Sequence, residues 1–322
     1  MRRYIVKRIL QMIPVIILVS IFSFMIIHFA PGDPINMYIR QDMTQQEIDE
    51  LRVDLGLDGT IAEQYLAWLS NLCRGNWGNS LINHQPVAKQ IFEKLPATLL
   101  LMGTSFVLSI LMSIPLGLVS GMKKNKAADQ FISIFAYIGI SIPAFWLALM
   151  LIIIFSLNLH WLPSNGMRTV GSNSVLDILW HLILPGIVLS VGNTAVFTRY
   201  IRSNTITQLE EEYVLTAKAK GVSKRRIMTG HVLKNCLLPI ITIAGMNLAS
   251  LVTGSFIIES VFGWPGMGTL GMSAINSRDY PMIMGFTMLS CVILIIGNFI
   301  ADLLYGVADP RIKQEVKKIH ES

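Results

Sequence analysis

The chain of 322 residues is 52% hydrophobic and only 14% charged, with a mean hydropathy of +0.56. About a quarter of an ordinary soluble domain is charged, so these values exclude a disordered chain and a typical water-soluble enzyme and fit a protein solvated largely by lipid. The net charge is +6, but the basic residues cluster at the ends of apolar runs, so the charge reads as membrane topology and not as a nucleic-acid footprint.

A helix needs roughly 20 apolar residues to cross about 30 Å of hydrocarbon. Six runs meet or approach that length: 9–30, 97–121, 131–159, 182–198, 237–258 and 281–307. The first follows Arg2, Arg3, Lys7 and Arg8, as a signal peptide would. It is too long for the apolar part of one, and His28 and Pro31 spoil a cleavage site near Ala30, so a retained span is expected. The fourth run is weak, being short and interrupted by Pro185, Gly186, Gly192 and Asn193. Charge argues for it all the same. With six crossings and an inner N-terminus, 19 of the 26 basic residues lie inside and 7 outside. Without the fourth crossing, the eight between Arg199 and Lys234 would move outside and the bias would largely vanish. The sequence thus predicts an all-α protein with six transmembrane helices and both termini inside. Its parts are an inner N-terminus 1–8, a first span 9–30, an outer loop 31–96, a five-span core 97–307 containing an inner loop 199–236, and an inner tail 308–322.

The outer loop is acidic. Thr44 with Glu47 predicts a capping box, followed by Ile48, Leu51 and Leu55 at helical spacing. A second short helix is expected to carry Tyr65, Trp68 and Leu69, and residues 74–79 read as a turn. This loop is either a cap over the outer mouth or a docking surface for a partner. Pro14, Pro115, Pro143, Pro185 and Pro239 are expected to kink or start helices. His28, His160 and His181, with most of Trp146, Trp161, Trp180 and Trp264, suit the membrane interface.

The strongest enzymatic signals are missing. No phosphate-cradling G-x-x-x-x-G-K-[ST] occurs, and the six histidines have no metal-ligand spacing. Cys73, Cys236 and Cys291 lie far apart, so no disulfide framework or zinc site is indicated. Residues 266–271 match G-x-G-x-x-G, but in an outer loop between two spans and not after a strand, which makes the match accidental. An intramembrane enzyme is the alternative from another class, and no motif supports it.

The informative stretch is 210–227. Glu210, Glu211 and Glu212 suit a helix N-terminus. Ala217 and Gly221 stand one turn apart as a small-residue face, Gly221 is expected to end the helix, and Ser223 to cap the next. The result is two short helices with a bend at the inner membrane surface. From spacing alone, a basic linker that merely meets anionic head groups is an equal reading.

Tyr213-Val214-Leu215-Thr216-Ala217-Lys218-Ala219-Lys220-Gly221 resembles the cytoplasmic coupling loop of binding-protein-dependent ABC importer permeases, nearest the peptide/nickel branch. Further matches follow in order along most of the chain: Ala30-Pro31-Gly32-Asp33-Pro34, Leu95-Pro96-Ala97-Thr98-Leu99, Thr198-Arg199-Tyr200-Ile201-Arg202-Ser203, His231-Val232-Leu233-Lys234-Asn235 with Leu238-Pro239, Phe262-Gly263-Trp264-Pro265-Gly266-Met267-Gly268, and Asp309-Pro310-Arg311. One departure is that Leu215-Thr216-Ala217 stands where the general pattern has Glu-Ala-Ala, so no role passes to Glu210, Glu211 or Glu212.

The resemblance implies a type I ABC importer transmembrane domain in a bacterial or archaeal cytoplasmic membrane. It implies a second homologous permease, two cytoplasmic ABC ATPases carrying ATP and Mg, and an extracytoplasmic solute-binding protein. This chain would bind no cofactor of its own. The cargo would be dipeptides or oligopeptides, with nickel or a metal chelate as the alternative. The ATPase-coupling residues would be Tyr213, Thr216, Ala217, Lys218, Lys220, Gly221, Val222, Lys224, Arg225 and Arg226. Polar residues in or beside spans are candidates for the translocation path: Asn193, Asn247, Ser250, Thr253, Glu259 and Asn298. For each of them, helix–helix hydrogen bonding is the plainer role.

Overall fold

The computed structural model describes residues 2–29, 43–47, 50, 59–236 and 255–308. Eleven helices are used below: α1 (Arg2–His28), α2 (Ile61–Cys73), α3 (Val87–Met122), α4 (Ala127–Ser141), α5 (Ala144–Leu151), α6 (Val175–Glu210), α7 (Glu212–Ala219), α8 (Lys224–Ile227), α9 (Phe256–Val261), α10 (Met267–Asn276) and α11 (Tyr280–Ala308). Among the described residues there is no strand, only one antiparallel bridge between Asn79 and Pro86. Helices are what lipid demands, since every backbone polar group must be satisfied within the segment.

α3, α6 and residues 280–300 of α11 are each long and apolar enough to span a bilayer. The weak fourth run proves to lie in a continuous helix of 36 residues that passes through Pro185, Gly186 and Gly192. Its most apolar stretch is 44% buried, against 22% and 28% for α3 and α11. A helix sheltered by protein tolerates polar and small residues that a lipid-facing one does not, which is why its apolar run reads as short and interrupted although its most apolar stretch, at a mean hydropathy of 1.9, nearly equals those of α3 and α11 at 2.1 and 2.2. The run 131–159 is not one straight helix. It breaks between α4 and α5, which are bent by 100°. Pro143 lacks an N–H and holds Ile142 extended at φ −76° and ψ 124°. Beyond α5 the helix widens to π geometry over Ile152–Asn158. Most of the fifth run, 237–254, lies outside the described residues, as do Pro239, Ile48, Leu51, Leu55 and the motifs at 30–34 and 309–311.

The chain divides into two compact units, Met1–Pro96 with Gly266–Ile295 and Ala97–Pro265 with Ile296–Ser322. In the first, the Thr44–Glu47 capping bonds form in both directions, with Thr44 N–H donating to Glu47 at 2.7 Å and Glu47 N–H to Thr44 Oγ1 at 3.3 Å. A second capping box, Thr60 with Glu63, opens α2. α2 turns Tyr65 and Trp68 onto α1, where the Tyr65 hydroxyl lies 2.8 Å from Ser20 Oγ, the Tyr65 ring meets Phe24 edge-on and the Trp68 ring packs tilted against it. Val87, Ile91, Met267, Ala274 and Met282 form the core of this unit, with Trp77 packed on it. A Cβ at Gly285 would lie 2.6 Å from Val87 Cγ1, so only glycine lets α11 approach α3 there. Asp279 is buried, and its carboxylate accepts from the Ser80 hydroxyl and, at 3.1 Å, from Leu81 N–H.

In the second unit α3 and α6 cross at backbone contact. A Cβ on Gly117 would meet Ile201 at 2.5 Å, and one on Gly121 would meet Thr205 at 2.6 Å. A G-x-x-x-G pair is thus set against α6, continued by Ser109, whose hydroxyl donates across to the Ser190 carbonyl at 3.2 Å. Two expectations about the interface need correction. Trp264 is fully buried and its indole N–H donates to the Ala97 carbonyl at 2.8 Å. His181 is buried and donates to the Asp177 carbonyl one turn earlier at 2.8 Å. A ring with an internal partner no longer needs interfacial water. Trp146, Trp161, Trp180, His28 and His160 are exposed. The accidental glycine motif opens α10 without a strand before it.

Candidate functional site

Residues 211–236 fold as a helix–turn–helix on the end of α6. Glu211, extended at φ −70° and ψ 146°, stops α6 and starts α7. The three acids are therefore split. Glu212 sits in the first turn of α7, where the dipole favours it, while Glu210 ends α6 and is compensated by Lys124 Nζ at 3.3 Å.

α7 closes in a two-bond αL cap. Gly221 N–H donates to Lys218 O at 3.0 Å and Val222 N–H to Ala217 O at 3.1 Å, with Gly221 at φ +75°. The cap brings Val222 back over Ala217, and both pack on a buried cluster of Val214, Ile227, Met228, Val232 and Cys236. Leu118 and Met122 of α3 close the same cluster. Ala217 and Gly221 consequently do not share a small-residue face, because one points into the cluster and the other lies past the helix end. Ser223 stands at the N-cap of α8 but makes no side-chain capping bond.

A polar triad completes the mounting. The Tyr213 hydroxyl donates to Gln208 Oε1 at 2.7 Å. Asn235 Nδ2 donates to Gln208 Oε1 at 3.0 Å and to the Tyr213 oxygen at 3.1 Å. α6, α7 and the outgoing helix are thereby tied at one point.

The ten residues expected to couple fall into two sets. Tyr213, Ala217 and Val222 face inward and hold the element together. Thr216, Lys218, Lys220, Gly221, Lys224, Arg225 and Arg226 are exposed, and so is Leu215, an apolar side chain 55% exposed that sequence reasoning passed over. The outcome is a pair of short helices, α7 presenting the apolar Leu215 and Lys218, the turn Lys220, and α8 Lys224, Arg225 and Arg226. Of the path candidates, Asn247, Ser250 and Thr253 lie outside the described residues. Asn193 is half-buried on α6 and Asn298 is exposed on α11. Glu259 is fully buried, and its Oε1 accepts from Thr98 Oγ1 of α3 at 2.8 Å, so this carboxylate is engaged inside the chain.

Two features of this region escaped the sequence reading. Gly117 and Gly121 were visible as a four-residue spacing within an apolar run. Asp129 and Arg202, 73 positions apart, carry no local signal, yet their side chains form a two-pronged ion pair at 2.6 and 2.8 Å.

Comparison with known proteins settles the family. A family model described as the binding-protein-dependent transport system inner membrane component matches residues 113–314, and a companion model for the N-terminal part of such components matches residues 1–102. The chain belongs to this family. Among relatives of this permease is the oligopeptide transport system permease protein AppB of Bacillus subtilis (strain 168), 40% identical over 315 residues, covering 97% of this chain and 100% of that protein. The glutathione transport system permease protein GsiC of Escherichia coli (strain K12) is 35% identical over 314 residues, covering 97% and 99%. The fold matches a chain of the MetNI methionine ABC transporter in inward-facing conformations, with a TM-score of 0.55 at 18% identity over 68% of this chain and 96% of that one. The permease is a membrane-embedded transport subunit and not an enzyme. Its family works with a solute-binding protein and an ATPase.

Proposed function

We propose that this permease forms half of the translocation pathway of an ATP-driven importer of dipeptides or oligopeptides. A second, homologous permease supplies the other half, and two cytoplasmic ATPases carry the ATP and Mg. Six spans put both termini and residues 199–236 in the cytosol of a bacterial or archaeal cell. The carrying observation is the mounted α7 helix, exposed on one side and fastened by hydrogen bonds and a buried cluster on the other. The names of the relatives, oligopeptide and glutathione permeases, support a peptide cargo and give nickel no support.

The mechanism is a population shift. Closure of the ATPases on bound ATP displaces the α7 element, and because it is rigid the displacement rotates α6 and the helices packed on it. Moving a two-state pore from 1:99 to 99:1 takes about 5.5 kcal/mol of differential interaction. Leu215 and Thr216 seat in an ATPase groove, and Lys218, Lys220, Lys224, Arg225 and Arg226 steer the contact.

The test is uptake in a strain lacking this gene, with labelled peptides of two to five residues and with nickel. Complementation is expected to restore peptide uptake, and an ATPase is expected to co-purify with the chain. Restored nickel uptake without peptide uptake overturns the cargo. Purification with no nucleotide-hydrolysing partner overturns the function.

A further inference from the structure

The turn between α3 and α4 is fastened to the last three turns of α6. Asp129, in the first turn of α4, is 3% exposed. Its Oδ1 accepts from Arg202 Nε at 2.6 Å and from Ser120 Oγ at 2.5 Å. Its Oδ2 accepts from Arg202 Nη2 at 2.8 Å and from Asn125 N–H at 2.9 Å. Ser133 Oγ also donates to Oδ1, at 3.5 Å, so each oxygen accepts at least two bonds, and the fork-to-fork geometry fixes orientation as well as distance. Arg202 precedes the end of α6 by two turns, and there Lys124 reaches Glu210 at 3.3 Å from the same α3–α4 turn. Arg199, nearly one turn earlier, lies over the Tyr137 ring of α4 at 5.1 Å.

These contacts have a direction. The α7 element is tied to α6 through Gln208, Tyr213 and Asn235. α6 is tied to α4 through Arg202 and Asp129. α4 then runs to the 100° break before α5. Among the described residues this link between α6 and α4 is two-pronged, with the Asp129 carboxylate buried and the Arg202 side chain 30% exposed. The Lys124–Glu210 pair is exposed and can break without leaving a buried charge unpaired.

We propose that the Asp129–Arg202 pair is the joint that carries displacement of the α7 element from α6 into the bent α4–α5 pair. Both are positioning residues for transport, acting on the pathway through the helices that they connect. This rests on the importer reading above. It predicts a defect of a particular kind: ATP is hydrolysed, but less cargo moves for each ATP spent.

The experiment uses the complete transporter with its ATPases and binding protein in proteoliposomes. Asp129→Asn and Arg202→Gln are made singly and together, and peptide uptake is measured per ATP hydrolysed. Each single change is expected to lower that ratio about tenfold or more while hydrolysis stays within about twofold of the parent, because either one removes the two-pronged contact that fixes the angle between α6 and α4. The double variant is expected to lose no more than the worse single one, since all three remove one joint. A parental ratio in either single variant, or losses that multiply in the double, overturns the proposal. Should Asp129→Asn fail to assemble, Arg202→Lys is read in its place, with a smaller fall expected and an unchanged ratio overturning it. Amide exchange in the purified chain in nanodiscs tests the joint apart from transport. Arg202→Gln is expected to speed exchange in both 123–130 and 212–222, and a change confined to 123–130 overturns the joint. A parent complex without ATP-driven peptide uptake would instead strike down the importer reading, while the exchange result would still decide the joint.

Discussion

Removing one oxygen from the α7 element would reveal how it is held. Tyr213→Phe strips the hydroxyl shared by Gln208 and Asn235 and leaves two amides short of a partner. About 1–2 kcal/mol of local stability should go with it. Faster protease cleavage at the 220–223 turn in the purified complex is the expected readout, and parental cleavage would count against the triad. Gly221 is open on its side-chain face, so a Cβ there meets no internal atom, but its φ of +75° strains any side chain. Gly221→Trp is expected to insert normally and to abolish uptake, and Gly221→Ala, which carries the same backbone strain without the ring, is expected to retain more of it if this surface meets the ATPase. Normal uptake by Gly221→Trp would speak against the coupling role. At the start of α2, the backbone N–H of Thr60, and then its hydroxyl, hold the Glu63 carboxyl below the usual carboxylate range. A depressed folded pKa gives stability that is present above the ordinary glutamate pKa and lost as pH falls through the folded value. Fraying of α2, read by amide exchange on 61–66, should therefore begin only below the usual carboxylate range, and Thr60→Ala should move its onset up toward that range.

At the scale of elements, the tightest constraint is the α3–α6 crossing. Two glycines one turn apart let the backbones touch, and Ile201 and Thr205 fill the grooves that result. Gly121→Ile drives four carbons into Thr205 and the Arg202 carbonyl, a misfit of about 1–3 kcal/mol that the crossing must absorb by separating. A lower melting temperature in detergent is the expected result, together with loss of the Asp129–Arg202 alignment, since Arg202 lies directly against the new side chain. An unchanged melting temperature would mean that the helices part at no cost. The break at Pro143 belongs to the same scale. A proline within an apolar run was legible, but the 100° bend was not, because proline only removes a hydrogen bond and tertiary packing decides how far the freed ends turn.

At the scale of the molecule, charge and lipid set the arrangement. Nineteen basic residues on one side and seven on the other would orient the spans with 199–236 inside. Cys73 is exposed on the segment assigned to the outside, and a cysteine placed at Lys220 would be exposed on the segment assigned to the inside. In intact cells a membrane-impermeant maleimide should label Cys73 and leave Lys220→Cys unlabelled until the membrane is opened. The opposite pattern would invert the topology and remove the coupling reading with it.

The helical class, the apolar character of α3, α6 and α11, the capping box at Thr44 and the short helix closed at Gly221 were all legible in the residues themselves. Each depends on local chemistry: hydropathy over 20 residues, a hydroxyl three positions before a carboxylate, a glycine where the chain must turn left-handed. Tertiary structure alone decided which residues of 213–226 face outward, that Trp264, His181 and Glu259 are interior groups, and that Asp129 meets Arg202. Those outcomes depend on partners far away in the chain. A carboxylate at a helix start looks the same in sequence whether it faces water or a guanidinium, and only the close approach of α3, α4 and α6 brings that guanidinium within 2.6 Å.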